Sequence, residues 1–148
     1  MRSLSIDDAG RHVLLGRRTA GASLHAMETG LTLWTIKPSW HLESASLAPD
    51  GTFACITGRE GHVQRVECTD GSVGQVCKPF TQSVPASTIS GDGSRLIVGS
   101  LDGAVVLFEA DSMRELLRVG CSPSPIARVW IEEDGIHSID RDRWHRVR

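Results

Sequence analysis

The sequence contains no asparagine and no apolar run longer than five residues. Without asparagine there is no acceptor for N-linked glycosylation. The longest apolar run, 104–108, is far shorter than the roughly 20 residues that a membrane-spanning helix needs. The first ten residues, MRSLSIDDAG, carry two acids where a secretory signal would need an apolar stretch. We therefore expect a soluble cytoplasmic chain without a membrane partner.

An excess of charge of either sign is also missing. The chain has 16 basic and 18 acidic residues and a net charge of −2, so no general field attracts nucleic acid. The C-terminal stretch RDRWHRVR places arginines around Trp144, an arrangement that can bind single strands. In an extended chain, Trp144 and Arg146 would lie on one face and His145 and Val147 on the other, which fits a half-buried strand equally well. The composition does not favour nucleic acid as a partner.

Patterns that indicate catalysis or metal binding are absent as well. The four cysteines and six histidines show no close pairing, so no metal or cofactor is predicted. Cys55 shares its register with Val13 and Ile97, which predicts a small buried side chain. No nucleophile elbow of the G-x-S-x-G type occurs. The chain is predicted not to be an enzyme.

What the sequence does contain is an internal repeat. The stretch SGDGSRLIVGS has weaker copies, which begin at Ser5, Leu47 and Ile131. The acids of these copies lie 42 residues apart, at Asp8, Asp50, Asp92 and Asp134. A fixed period of this length indicates a repeat architecture.

Each copy predicts four short strands separated by tight turns. The acid and the glycine after it suit the positive φ of hairpin turns. Structural turns are therefore predicted at Asp8, Asp50, Gly51, Asp92, Gly93, Asp102, Gly103, Asp134 and Gly135. The fourth strands are predicted in LTLWTI, SVGQVC and RELLRV. The last could also form a helix, but its register with the other two favours a strand.

The phrase SGDGSRLIVGSLDGAVVLFEADS resembles a blade of the WD-repeat family, in which a Ser-x-Asp-Gly turn precedes the second strand. Phe108-Glu109 stands where that family has its Trp-Asp pair. The resemblance implies an all-β fold, a β-propeller of four-stranded antiparallel blades. It also implies a non-catalytic scaffold for protein–protein interaction.

The repeat count predicts a partial ring, or half-propeller, in one domain spanning 1–148. Blades are expected at about 3–42, 43–84 and 85–126, with an incomplete fourth at 127–148. Closed propellers usually have four to eight blades. Three resolutions stay open: a portion of a longer polypeptide, a half-ring that self-associates, or a small four-bladed ring. The first is preferred.

By analogy with WD-repeat proteins, partners would bind the loops between second and third strands and the links between blades. Such loops often carry recognition residues. The candidate partner-binding residues are Arg17, Arg18, Trp40, His41, Arg59, Glu60, Gln82, Leu101 and Ser122. Trp40 is either a partner anchor or packed between blades. The alternative function is a hydrolase or lyase with its site at the mouth of the propeller channel.

Overall fold

The computed structural model describes residues 1–132, 135–140 and 143–147. This part of the chain contains four antiparallel sheets, one after another along the sequence. The strands are β1 Ser3–Ile6, β2 His12–Arg17, β3 Gly21–Ala26, β4 Thr32–Ile36, β5 Leu42–Leu47, β6 Phe53–Gly58, β7 Val63–Glu67, β8 Ala86–Ile89, β9 Arg95–Gly99, β10 Ala104–Glu109, β11 Arg114–Gly120, β12 Arg128–Glu132, β13 Gly135–Ile139 and β14 Trp144–Val147. A 3-10 turn, Arg59–Gly61, precedes β7. No helix in these ranges is long and apolar enough to cross a membrane.

Each sheet is one blade, named here in chain order. Blade 1 is β1–β4, blade 2 is β5–β7, blade 3 is β8–β11 and blade 4 is β12–β14. The first strand of each blade is the inner one, and these strands line a groove where a propeller has its channel. Hydrogen bonds join them from blade to blade: Ser5 Oγ accepts from the Leu47 N–H, and Ser46 Oγ donates to the Ser87 carbonyl.

The fourth strand predicted in blade 2 does not form a regular strand. Two isolated bridges, Val63 with Cys77 and Val66 with Val73, hold this segment against β7. The intervening residues include Gly74, and glycine weakens a strand interior. The Gln64 side chain donates to the Gly74 carbonyl at 2.7 Å. In blades 1 and 3 the predicted fourth strands are present as β4 and β11.

The hydrophobic core of the described ranges consists of three layers, one between each pair of neighbouring blades. Leu14, Leu24 and Ile56 are in the first layer. Cys55 is buried in the second together with Val98 and Phe108, and Ile97 and Val129 are in the third. The outer faces of the two end blades have no such layer among the described residues: Leu4 and Trp144 are about half exposed there. The prediction of an all-β partial propeller ring is confirmed.

Candidate functional site

The hairpin turns that open each blade lie on one face of the ring, which we call the acid-turn face. Asp92 accepts hydrogen bonds from the Ser90 hydroxyl at 2.6 Å and from the Ser94 N–H at 3.0 Å. These bonds and the Ser94 hydroxyl lower the pKa of Asp92 to about 2. Asp50 accepts from the N–H and hydroxyl of Thr52, which lower its pKa. Gly51 and Gly93 have φ of +75° and +73°, as turn chemistry requires.

In blade 1 the corresponding turn is displaced by one residue from the 42-residue spacing. Gly10, Gly51 and Gly93 each donate to the carbonyl three residues earlier, at Asp7, Ala48 and Ser90. Ala9 therefore occupies the place of Asp50 and Asp92, and Asp8 precedes that place by one. The exposed Asp8 donates its N–H to the Pro49 carbonyl at 2.8 Å.

Asp7 is the acid with the most contacts in this first turn. Its carboxylate is buried and accepts from the N–H groups of Arg11 and His12 at 2.7 and 3.1 Å. His12 Nδ1 lies 2.9 Å from its second oxygen. Burial alone would raise the pKa of Asp7, but the hydrogen bonds from His12 and Arg11 hold it below its usual value.

Of the remaining predicted turn residues, Asp102 and Gly103 lie in the β9–β10 turn on the opposite face, and Gly135 lies in the hairpin that opens blade 4. Asp102 Oδ1 accepts from the Ala104 N–H at 3.2 Å, and Gly103 has φ of +83°. Gly135 begins β13 with φ of +143°. The prediction for Asp134 falls outside the described residues.

The opposite face, which we call the loop face, carries the β2–β3, β6–β7 and β9–β10 loops together with the blade links. Five predicted partner-binding residues meet there in one groove of about 490 Å³, namely Arg18, Arg59, Glu60, Gln82 and Leu101. The rest of its lining is Arg2, Glu43, Thr81, Ser83 and Pro85. We call this feature the arginine groove.

Glu43 is the centre of the arginine groove. Its side chain is 9% exposed, whereas those of Arg2, Arg18 and Arg59 are 41%, 42% and 45% exposed. Its carboxylate oxygens lie 3.4 Å from a nitrogen of Arg2, 3.9 Å from Arg18 and 3.4 Å from Arg59. A nearly buried carboxylate needs such cationic partners.

Backbone hydrogen bonds fix the loops that carry these arginines. The Leu42 N–H donates to the Arg18 carbonyl at 3.2 Å, and the Arg59 N–H donates to the His41 carbonyl at 3.1 Å. The blade-link partners of the two loops, His41 and Leu42, are the two residues that precede Glu43 in the chain. The 3-10 turn contains Glu60 with φ of +58°, a conformation few non-glycine residues adopt. The groove is therefore held by main-chain bonds as well as by charge.

The other four candidates do not enter the groove. Arg17 donates to the Ser23 hydroxyl, and the exposed His41 contributes its carbonyl to the Arg59 N–H. Trp40 is half-buried and stacks on His62 with ring centroids 5.0 Å apart. Burial and the nearby Lys78 lower the pKa of His62. Ser122 donates to a carboxylate oxygen of Asp140.

Sequence reasoning missed Arg2 and Glu43. Arg2 immediately precedes β1 and Glu43 is the second residue of β5, so both lie outside the loops and blade links that the sequence pattern indicated. The two residues are 41 positions apart in the sequence and belong to no common sequence motif. Proximity of β1 and β5 is what brings them together.

No group of three or more His, Cys, Asp or Glu side chains suited to a metal ion occurs within the described ranges. Burial raises the pKa of both Cys55 and Cys68 to about 12. Such thiols are poor nucleophiles and poor metal ligands at neutral pH, because the thiolate is the reactive form.

Comparison with known proteins agrees with this architecture. No family model matches the sequence, and no curated protein matches it. Among solved structures, the chain is similar to the β-propeller domain of Cps50 (Swd1) from Myceliophteria thermophila, with a TM-score of 0.83 and 16% sequence identity. The match covers 96% of this chain and 49% of that one, so the chain spans about half the length of that propeller domain. The fold is that of a partial β-propeller, as the resemblance to WD-repeat blades implied.

Proposed function

We propose that this chain is a non-catalytic scaffold for protein–protein interaction and that its loop face holds the partner. The observation that carries this proposal is the arginine groove, in which loops of three blades converge with the link between blades 2 and 3. Rigid blades hold these loops at low entropic cost, which favours recognition. The exposed Leu101 side chain adds an apolar contact beside the charged groups. Similarity to another propeller shows only the fold, so the surface itself has to support the function.

The experiment is an affinity capture with two matched double variants. Gln82→Glu with Leu101→Glu places two new charges on the loop face. Gly91→Glu with Thr69→Glu places two on the acid-turn face, at exposed residues. Some proteins should be captured by the wild type and by the acid-turn-face variant but not by the loop-face variant. Such proteins support the loop face as the binding surface. Equal retention by all three would contradict the proposal.

We further propose that additional blades complete the ring. They belong to the same polypeptide or to a second copy of this chain. The support is the exposure of apolar side chains on the outer faces of the end blades, including Leu4 and Ile6 on β1 and Trp144 on β14. Such patches commonly mark association surfaces. Sedimentation equilibrium tests the second source: twice the 16.0 kDa chain mass supports a second copy, and a monomer excludes it.

Within the described residues, the groove along the inner strands gives no support to the enzyme alternative. Serines line the inner-strand groove, but the hydroxyls of Ser44 and Ser46 bond to Ser87 at 2.9 and 2.6 Å. A serine nucleophile needs an adjacent base, and these serines are hydrogen-bonded to one another. Their arrangement fits a role in holding neighbouring blades together.

A further inference from the structure

The charges of the arginine groove indicate the chemistry of the partner. Three guanidinium groups share one carboxylate, that of Glu43. The second acid in the groove, Glu60, lies 4.0 Å from Lys78 Nζ. The lining of the groove therefore carries three positive and two negative charges, and Lys78 beside it adds a fourth positive charge, although the whole chain has a net charge of −2. The groove is a local positive site on a mildly acidic protein.

The three arginines keep hydrogen-bonding capacity for a ligand. Their nitrogens lie 3.4 to 3.9 Å from the Glu43 oxygens, longer than the 2.7–2.9 Å of a strong charge-assisted bond. A guanidinium has five N–H donors in a fork that matches a carboxylate. Glu43 therefore gathers the arginines without saturating them, and their partial exposure leaves their donors open to solvent.

We propose that the arginine groove binds an acidic peptide segment, with carboxylates of the segment received by Arg2, Arg18 and Arg59. Thr81, Gln82 and Ser83 supply uncharged polar groups at the rim for the peptide backbone. The described lining contains no aromatic side chain, whereas single-stranded nucleic acid is usually held by base stacking. This favours a peptide. The inference rests on the proposed function and names the partner's chemistry.

The test is fluorescence anisotropy with a labelled octaglutamate peptide and the full chain. The double variant Arg18→Ala with Arg59→Ala should weaken binding about tenfold or more, because it removes two of the three guanidinium groups. Arg2→Ala, which leaves both loops untouched, should weaken it about threefold. Circular dichroism verifies that each variant is folded.

The matched control is Arg95→Ala with Arg114→Ala, which removes the same net charge from blade 3 outside the groove. Binding should change less than about twofold, because salt screens distant charges. An equal loss in both double variants would show attraction to net charge alone and overturn the proposal. Tighter binding of an eight-nucleotide oligo(dT) than of the peptide would overturn it in favour of nucleic acid.

The outcome is separable from that of the proposed function. Suppose octaglutamate fails to bind, yet captured proteins still depend on Gln82 and Leu101. The scaffold role then stands and the acidic partner is excluded. Conversely, suppose that the peptide binds through the arginines but that no protein is captured through the loop face. The groove is then an anion-binding site, and the scaffold role is excluded.

Discussion

The two faces of the ring use the repeat in different ways. On the acid-turn face both backbone and side chain recur, because Asp50 and Asp92 each accept from the N–H two residues later. On the loop face only the backbone recurs. Arg59 and Leu101 each donate an N–H to the preceding blade link, at His41 and Ser83, but one side chain is a guanidinium and the other is aliphatic. The side chains that recur from blade to blade form the hairpin turns. The side chains that vary make each position on the loop face chemically different.

The largest expected effect compares one glycine from each face of blade 3. A Cβ on Gly103 would lie 1.7 Å from the Ser122 carbonyl oxygen, whereas one on Gly93 would meet only Phe53 at 4.0 Å. Both glycines have positive φ. Gly103→Ala should cost about 3 kcal/mol or more from overpacking and backbone strain together. Gly93→Ala should cost about 1 kcal/mol from strain alone.

Urea unfolding followed by circular dichroism measures both free energies. An equal loss of stability in the two variants would contradict this prediction. It would mean that the loop-face backbone moves away from the new Cβ of residue 103 at little cost. Gly10→Ala is a second reference on the acid-turn face: its φ is +65° and its Cβ would meet nothing within 4 Å.

The second prediction compares adjacent acids in the first turn. Asp7→Ala should cost about 2 to 3 kcal/mol, because it leaves two N–H groups and the His12 ring without their acceptor. Asp8→Ala should change stability by less than about 0.5 kcal/mol, as is usual for an exposed side chain. The urea midpoints of the two variants measure this difference in stability. If Asp8 proved the more costly, the hydrogen bonds to the Asp7 carboxylate would not be what stabilises this turn.

The sequence could predict the sheets and turns because the turn signals recur locally. Asp50-Gly51 and Asp92-Gly93 were each identifiable from neighbours within a few residues. The first turn was harder to align. Asp7 and Asp8 are adjacent acids, and the 42-residue spacing selects Asp8, whereas the hydrogen bonds select Asp7. Periodicity alone cannot find Asp7, because the displaced turn puts Ala9 in the place of Asp50 and Asp92 and puts Asp7 in the place of Ala48 and Ser90.

The arginine groove was only partly predictable. The loop positions of Arg18 and Arg59 followed from the blade pattern, but their common counter-ion did not. Glu43 lies at the start of β5, and its contacts with the three arginines depend on how neighbouring blades pack. Which charged side chains converge is a property of tertiary geometry, and a short periodic signal does not encode it.

The third prediction concerns Glu43. Glu43→Gln removes the carboxylate that offsets three guanidinium groups, so we expect a loss of about 1 kcal/mol from repulsion among them. Glu28→Gln, at an exposed residue of the β3–β4 turn, makes the same charge change and should be nearly neutral. The difference should shrink in high salt, because screening weakens the repulsion. Unfolding at two salt concentrations measures it, and a salt-independent loss would argue for a packing role instead.

The smallest expected effect is the pH dependence of the acid-turn face. The pKa of Asp92 is about 2 in the folded chain against an ordinary value of 3.8. Its stabilisation is therefore present above pH 3.8 and is lost as the pH falls through 2. Asp92→Asn keeps an oxygen acceptor for the Ser94 N–H but cannot titrate, so its stability should fall less steeply than the wild type's between about pH 4 and pH 2. Identical slopes for the wild type and Asp92→Asn would mean that the hydrogen bonds from Ser90 and Ser94 do not favour the ionised acid, and the repeated turn would then depend on its glycine alone.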